Sequence, residues 1–136
     1  MKNKFLIPIV FFAFFISACT KEGEGGSASI EGKVMVRLIK ETTLDTLTTY
    51  EAQDERVYIV YGDNSTYNDD IRTSYDGNFK FQYLYKGDYK IYVYSECVFL
   101  VDSCPNETNA VIKEVEISKV NETINLGEIV INKYIN

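Results

Sequence analysis

The residues best suited to chemistry in this sequence are the acids of one short polar stretch, residues 62–70. Asp63, Asp69 and Asp70, together with Asn64, offer oxygen atoms for acid–base catalysis or for a calcium ion. The chain contains no histidine, the usual general base near neutral pH. No nucleophile or phosphate-binding loop accompanies the acids, and their spacing matches no calcium-loop motif. The sequence therefore predicts a solvated loop in a non-catalytic protein without cofactor or metal, and leaves Asp63, Asp69 and Asp70 as weak candidate calcium ligands.

The first nineteen residues indicate where the protein is located. Lys2 and Lys4 precede an apolar run over 5–16, and small residues follow just before Cys19. The run is too short for a comfortable membrane span. The segment 16–19, Ile-Ser-Ala-Cys, resembles the lipobox of bacterial lipoproteins, which implies a diacylglycerol on the Cys19 sulfur and cleavage that makes Cys19 the new N-terminus. An ordinary signal peptide with a cysteine near the cleavage site is the alternative.

Several acyl chains would hold the mature protein on a membrane almost permanently, since each buried methylene contributes about 0.8 kcal/mol. Removal of residues 1–18 takes away two lysines and no acid, which leaves 12 basic and 20 acidic residues and a net charge of −8. This charge disfavours nucleic acid as a partner. The acidic residues just after Cys19 loosely resemble the export signals of Bacteroidota-type lipoproteins, which favours the outer membrane and display at the cell surface. A plain polar linker would look the same.

Cys97 and Cys104 are the two cysteines that remain once Cys19 is modified. An even pair in an oxidising compartment favours a disulfide between them. In the chain-entropy model, closing a loop of about eight residues contributes about 2.5 kcal/mol. Two free thiols or half of a metal site are the alternatives, although a zinc site is poor without histidine or further cysteines.

Eleven tyrosines and no tryptophan are the main oddity of the composition. Tyr92 and Tyr94 alternate with Ile91 and Val93, and Tyr58 flanks Ile59, which predicts a half-exposed ladder of rings across neighbouring strands. Such rings can stack on sugars or on a partner, although tyrosine also simply favours strands. Turn positions favour exposure for two further tyrosines. The candidate ligand contacts are Tyr67, Tyr85, Tyr92 and Tyr94.

Alternating apolar and polar residues dominate the chain from Ala28 onward, and no helical period persists. Residues 42–54 are predicted to be a connection, and Val57–Tyr61 is apolar on both faces and predicted to lie centrally in a sheet. Asp76-Gly77 predicts a tight hairpin, and a shift of apolar parity predicts a β-bulge at Gly127. Seven strands are predicted, over residues 30–38, 57–61, 71–75, 79–83, 89–95, 111–117 and 123–131.

The two predicted strands around Lys86-Gly87-Asp88 form the clearest hairpin signal, because alternation is strict on both sides of the turn. Seven short strands in about a hundred residues predict one antiparallel β-sandwich. The predicted organisation is a signal peptide over 1–18, a lipidated cysteine with a flexible polar tether over 19–27, and a sandwich domain over 28–136.

A family resemblance accompanies this pattern. The string 73–81, Thr-Ser-Tyr-Asp-Gly-Asn-Phe-Lys-Phe, followed by Leu84, Gly87, Tyr89, Ile91 and Val93, resembles the strand-turn-strand signature of carboxypeptidase regulatory-like domains. The opening strand at 30–34 is also similar. The resemblance implies a transthyretin-like, Ig-like sandwich of seven strands that serves as an adhesive, spacing or accessory module.

The function expected from these features is that of a non-catalytic, lipid-anchored binding or accessory module of the cell envelope. Its expected partners are the membrane, through acyl chains on Cys19, and an outer-membrane protein or a glycan. The alternative is a structural subunit or spacer of a larger surface assembly.

Overall fold

The structure, a computed structural model, describes residues 21–97 and 106–136. Within these ranges the chain forms eight β-strands, and no described residue belongs to a helix that could cross a membrane. One strand more than predicted is present, because part of the predicted connection over 42–54 pairs as β2. The strands are β1 (Glu24–Lys40), β2 (Thr46–Glu51), β3 (Arg56–Tyr61), β4 (Asp69–Arg72), β5 (Asn78–Leu84), β6 (Gly87–Glu96), β7 (Thr108–Ile117) and β8 (Thr123–Ile135).

Two four-stranded sheets make up the sandwich. In the first sheet the 17-residue β1 lies centrally, with β8 on one side. On the other side β5 pairs with the first part of β1, and β2 pairs with its last part. The second sheet has the order β4-β3-β6-β7, so β3 is a central strand as its two apolar faces indicated. The β-sandwich prediction is confirmed.

One pair of strands departs from the antiparallel prediction. β1 and β8 pair in parallel from Ser29 opposite Thr123 to Lys40 opposite Ile135. The first and last strands of the described chain therefore run in the same direction, with β1 in the middle of the first sheet and β8 at its edge. Alternation predicts that a segment is a strand, but it carries no information on the direction of its neighbour.

The predicted hairpin between β5 and β6 is wrong, because these strands lie in different sheets. Tyr83 has a φ of +61°, which reverses the side-chain alternation, so that Leu84 is buried and Tyr83 is exposed. The turn after Leu84 then carries the chain across to the second sheet. Gly77 has the predicted positive φ of +78°, but its turn likewise connects the two sheets. Two consecutive strands show the same alternation of apolar and polar residues whether they pair in one sheet or lie in two facing sheets.

Local structure corrects one predicted boundary and confirms one predicted bulge. β1 begins at Glu24, four residues before the predicted domain start at Ala28, so residues 24–27 belong to the sheet and not to a tether. The predicted bulge is confirmed: the β1–β8 register shifts between Glu31 and Lys33, and Gly127 has a φ of +70°.

The core lies between the inner faces of the two sheets. In β6, Tyr89, Ile91 and Val93 point inward, while the residues between them form the outer face. The inner face of β1 contributes apolar side chains in the same way, and they pack against those of β6. This alternation leaves the outer face of β6 free to carry the tyrosines that the sequence singled out.

Candidate binding surface

Four tyrosines come together on the outer face of the second sheet. Tyr58 of β3 and Tyr92 of β6 are directly opposed, and their rings stack with centroids 4.8 Å apart and planes 9° from parallel. Tyr94 meets both rings edge-on at 5.5 Å. The predicted cross-strand ladder is therefore present. We call Tyr58, Tyr67, Tyr92 and Tyr94 the tyrosine patch.

The loop between β3 and β4 brings Tyr67 to this patch. The side-chain oxygen of Asn68 accepts hydrogen bonds from the Tyr61 backbone N–H at 2.8 Å and from the Asn64 side chain at 3.1 Å. The Asn68 backbone N–H donates to the Ile59 carbonyl at 2.8 Å. Anchored in this way, the loop places the Tyr67 ring edge-on to Tyr58 with centroids 5.0 Å apart.

Charged and aliphatic side chains border the patch. Asp70 lies opposite Tyr58 in β4 and forms an ion pair with Arg56 at 3.4 Å. On the other side, Ile112 of β7 lies opposite Tyr92 and is 54% exposed. Ile112 breaks the inward alternation of Val111, Val115 and Ile117, a signal that could have identified it in the sequence.

The phenol of Tyr92, at the centre of the patch, holds its proton more strongly than a free tyrosine. Burial, followed by the neighbouring phenols of Tyr94 and Tyr58, raises the pKa of Tyr92 to about 12. Tyr67 and Tyr94 are 48% and 45% exposed. The patch thus offers rings and hydroxyl groups to a ligand, with one ion pair at its border.

Tyr85, the remaining candidate contact, is not part of the patch. It follows β5, and a Cβ atom added at Gly25 would lie 2.7 Å from its hydroxyl oxygen. Tyr85 is half-buried and packs against the start of β1, and its role as a ligand contact stays a prediction.

The candidate calcium ligands do not converge on a site. Asp70 is paired with Arg56, and the Asp69 carboxylate accepts the Asp70 backbone N–H at 2.8 Å. Asp63 belongs to the turn after β3. In the described ranges, no three His, Cys, Asp or Glu side chains are grouped to hold a metal ion.

Two of the three cysteines lie outside the described residues. Cys19, the predicted lipidation site, and Cys104, the predicted disulfide partner, are both outside. Cys97 is buried at the end of β6, where its backbone N–H donates to the Glu107 carbonyl at 3.0 Å. The lipid anchor and the disulfide stay predictions.

Another cleft lies along β5, where residues of β1, β4 and β8 also line it. It has a volume of about 930 Å³ and is lined by charged side chains of several strands. Both lysines of its lining are already paired: Lys80 with Glu31 at 3.0 Å, and Lys33 with Glu51 at 3.3 Å. We favour the tyrosine patch over this wide, open cleft because its rings lie in fixed mutual contact.

Comparisons with known proteins give only distant structural neighbours. No protein-family model and no curated protein sequence matches the chain. A suspected carbohydrate-binding protein from Pseudomonas aeruginosa aligns at 14% identity and a TM-score of 0.46, over 82% of this chain and 91% of its own. A DUF3823 family protein from Bacteroides uniformis aligns at 21% identity and a TM-score of 0.43, over 77% of this chain and 43% of its own. An (S)-allantoin synthase aligns at 10% identity and a TM-score of 0.41, over 77% of this chain and 42% of its own.

Proposed function

We propose that this protein is a non-catalytic binding module, held on the outer membrane by acyl chains on Cys19, that binds a neutral carbohydrate on its tyrosine patch. The observation that carries the proposal is the fixed contact of four tyrosine rings on one exposed sheet face. Sugar rings present apolar C–H faces and a border of hydroxyl groups. Aromatic rings next to phenol hydroxyls and an ion pair complement both features.

The charge balance and the surroundings of the patch restrict the ligand. A mature net charge of −8 is unfavourable for polyanions. Ile112 is the one strongly exposed large aliphatic side chain opposite the patch on β7, whereas a protein partner would favour a broader apolar area. A neutral glycan therefore fits the patch better than nucleic acid or a protein surface.

Strand addition at a sheet edge would support the alternative of a structural subunit. β7 pairs with β6 alone among the described strands and is largely exposed. Lys113, Glu114 and Glu116 place charges along this edge, a pattern that discourages pairing with another chain. We therefore favour the binding module.

Glycan binding is tested with the chain from Thr20 to Asn136, produced without its signal peptide. Binding to a panel of neutral oligosaccharides, followed by titration calorimetry, should identify a ligand. Tyr92→Ala should lower the affinity for that ligand by about tenfold or more, because it removes the ring at the centre of the patch.

Tyr75→Ala is the matched control, since Tyr75 is 81% exposed and lies outside the patch. It should leave the affinity unchanged, and thermal melting should show both variants folded. An equal loss in the two variants, or no neutral glycan bound by the parent chain, would exclude this site.

The anchor is tested separately in a bacterial host. Labelled palmitate should enter the full-length protein, and Cys19→Ala should abolish both the label and recovery in the membrane fraction. A membrane-bound Cys19→Ala protein would contradict lipid attachment at this residue.

A further inference from the structure

The segment directly after the predicted lipid site packs against the sandwich. The Glu22 side chain lies over Gly87, where an added Cβ atom would come within 2.2 Å of the Glu22 Cγ atom. It also lies over Gly62, where an added Cβ atom would be 3.2 Å from its carboxylate. We call residues 22–27 the strap.

The backbone of the strap is held at both polar groups of Gly23. Its N–H donates to the hydroxyl of buried Tyr89 at 3.0 Å, and its carbonyl accepts the Tyr85 N–H at 2.9 Å. Gly25 has a φ of +113°, and a Cβ atom at Gly26 would lie 2.1 Å from the Leu84 carbonyl oxygen. These glycines allow close packing, whereas the sequence suggested that they made the segment flexible.

The turn over 118–122 is fixed beside the strap. The Asn121 N–H donates to the Ser27 hydroxyl at 3.2 Å, and the Ser29 N–H donates to the Glu122 carbonyl at 2.8 Å. The Glu122 carboxylate accepts the Ser118 and Lys119 backbone N–H groups at 3.0 and 3.1 Å. Val120, at the tip of this turn, is 67% exposed.

Chain length then limits how far this end can stand from the lipid. Three residue steps separate Cys19 from Glu22 and can span at most about 11 Å. A domain fixed at Glu22 therefore cannot move far from acyl chains attached to Cys19.

We propose that the end of the sandwich formed by the strap and the turns over 85–88 and 118–122 rests on the lipid bilayer surface, with Val120 at the headgroups and the domain in one orientation. The inference depends on the lipid anchor of the proposed function. We call this end the anchor end. Because β3 and β6 run lengthwise from it, the tyrosine patch would face sideways, parallel to the membrane.

The charges of the anchor end indicate the kind of lipid. Lys86 and Lys119 are outnumbered by Glu22, Glu24, Asp88 and Glu122. An acidic excess disfavours anionic headgroups. The expected surface is a zwitterionic one, contacted by Val120 and the lysine side chains beside it.

The absence of tryptophan from the chain allows a direct test. Val120→Trp places a single fluorophore at the anchor end, and Leu47→Trp places one near the opposite end of β1, at another exposed aliphatic position. Each full-length variant is purified as the lipoprotein and reconstituted in phosphatidylcholine and phosphatidylethanolamine vesicles with brominated acyl chains.

Fluorescence of the Val120→Trp protein should be quenched at least twofold more than that of the Leu47→Trp protein. Insertion of about 12 Gly and Ser residues between Thr20 and Lys21 should reduce this difference, because the spacer adds about 20 Å of reach. Equal quenching at both positions, or none at position 120, would overturn the fixed orientation.

Intact mass measured on the same samples separates the two proposals. Acyl chains on Cys19 together with an unquenched Trp at 120 would exclude the membrane contact and leave the anchor standing. A mass without acyl chains would overturn the anchor and this inference together, whereas glycan binding is judged on the soluble chain.

Discussion

Buried hydroxyl groups tie the turns of this protein to its strands at the level of single residues. Thr73 donates its hydroxyl to the Ala52 carbonyl and accepts the Glu55 N–H at 2.9 Å. Ser95 accepts the Asn132 N–H at 2.8 Å, which connects β6 of the second sheet to β8 of the first. The Tyr89 hydroxyl donates to the Tyr85 carbonyl at 2.8 Å while it holds Gly23. Every buried side-chain polar atom in the described ranges has a partner.

Tyr89→Phe should lower the free energy of unfolding by about 1 to 2 kcal/mol, because it leaves Gly23 N–H without its partner in a dry site. Urea denaturation measures this loss, and hydrogen exchange should show faster exchange in the strap. Tyr83→Phe, which removes an exposed hydroxyl, is the control and should change little. Equal effects of the two substitutions would mean that the Tyr89 hydroxyl does not hold the strap.

Two glycines with positive φ serve different elements. Gly77 closes the turn between β4 and β5, and an added Cβ atom there would lie 2.5 Å from the Val34 carbonyl oxygen. Gly127 forms the bulge in β8, and nothing lies within 4 Å of its added Cβ atom. A side chain at Gly77 is thus opposed by both the backbone conformation and the lack of space, whereas a side chain at Gly127 is opposed by the conformation alone.

Gly77→Ala should therefore cost about 2 to 3 kcal/mol of unfolding free energy, and Gly127→Ala about 1 kcal/mol. The smaller loss is the cost of a left-handed backbone conformation for alanine, and the larger loss also includes displacement of the Val34 backbone. Chemical denaturation of the two variants provides the comparison. A cost at Gly127 that matched or exceeded the cost at Gly77 would show that the bulge is under a further constraint.

The stability of the whole sandwich at alkaline pH depends on groups spread over both sheets. Burial raises the pKa of Tyr61 to about 12, and burial next to the other phenols does the same for Tyr92. A hydrogen bond to the Glu55 carboxylate raises the pKa of Lys133 above its usual value. Each folded-state pKa lies above the unfolded one, so folding retains protons that the unfolded chain releases.

The free energy of unfolding should therefore be level between neutral pH and pH 10 and fall as the pH rises from 10 to about 12. Thermal melting across this range measures the fall, and phenolate absorbance should show tyrosines that ionise late. Tyr92→Phe should reduce the slope. Simultaneous ionisation of all tyrosines in the folded protein would contradict the raised pKa values.

Much of the local structure could be predicted from the sequence, because side-chain alternation is a local property. Seven of the eight described strands, the bulge at Gly127 and the ladder of Tyr58, Tyr92 and Tyr94 depend on residue parity, which is readable along one segment. The expected location in the cell envelope and the expected lipidation of Cys19 also rest on one contiguous segment, residues 1–19, and both stay predictions.

The tertiary structure decided which sheet each strand joins and in which direction its neighbours run, because side-chain alternation does not determine either. A strand with one inward face has the same pattern in either sheet, so the sequence could not show that β5 and β6 separate or that β1 and β8 run in parallel. The approach of Tyr67 depends on Asn68 bonds across a loop, and the strap depends on contacts of Glu22 and Gly23 with residues 40 to 66 positions away. Such long-range contacts form only when the two sheets pack, which is why the place of Tyr67 in the patch and the packing of the strap emerged from the fold and not from the sequence.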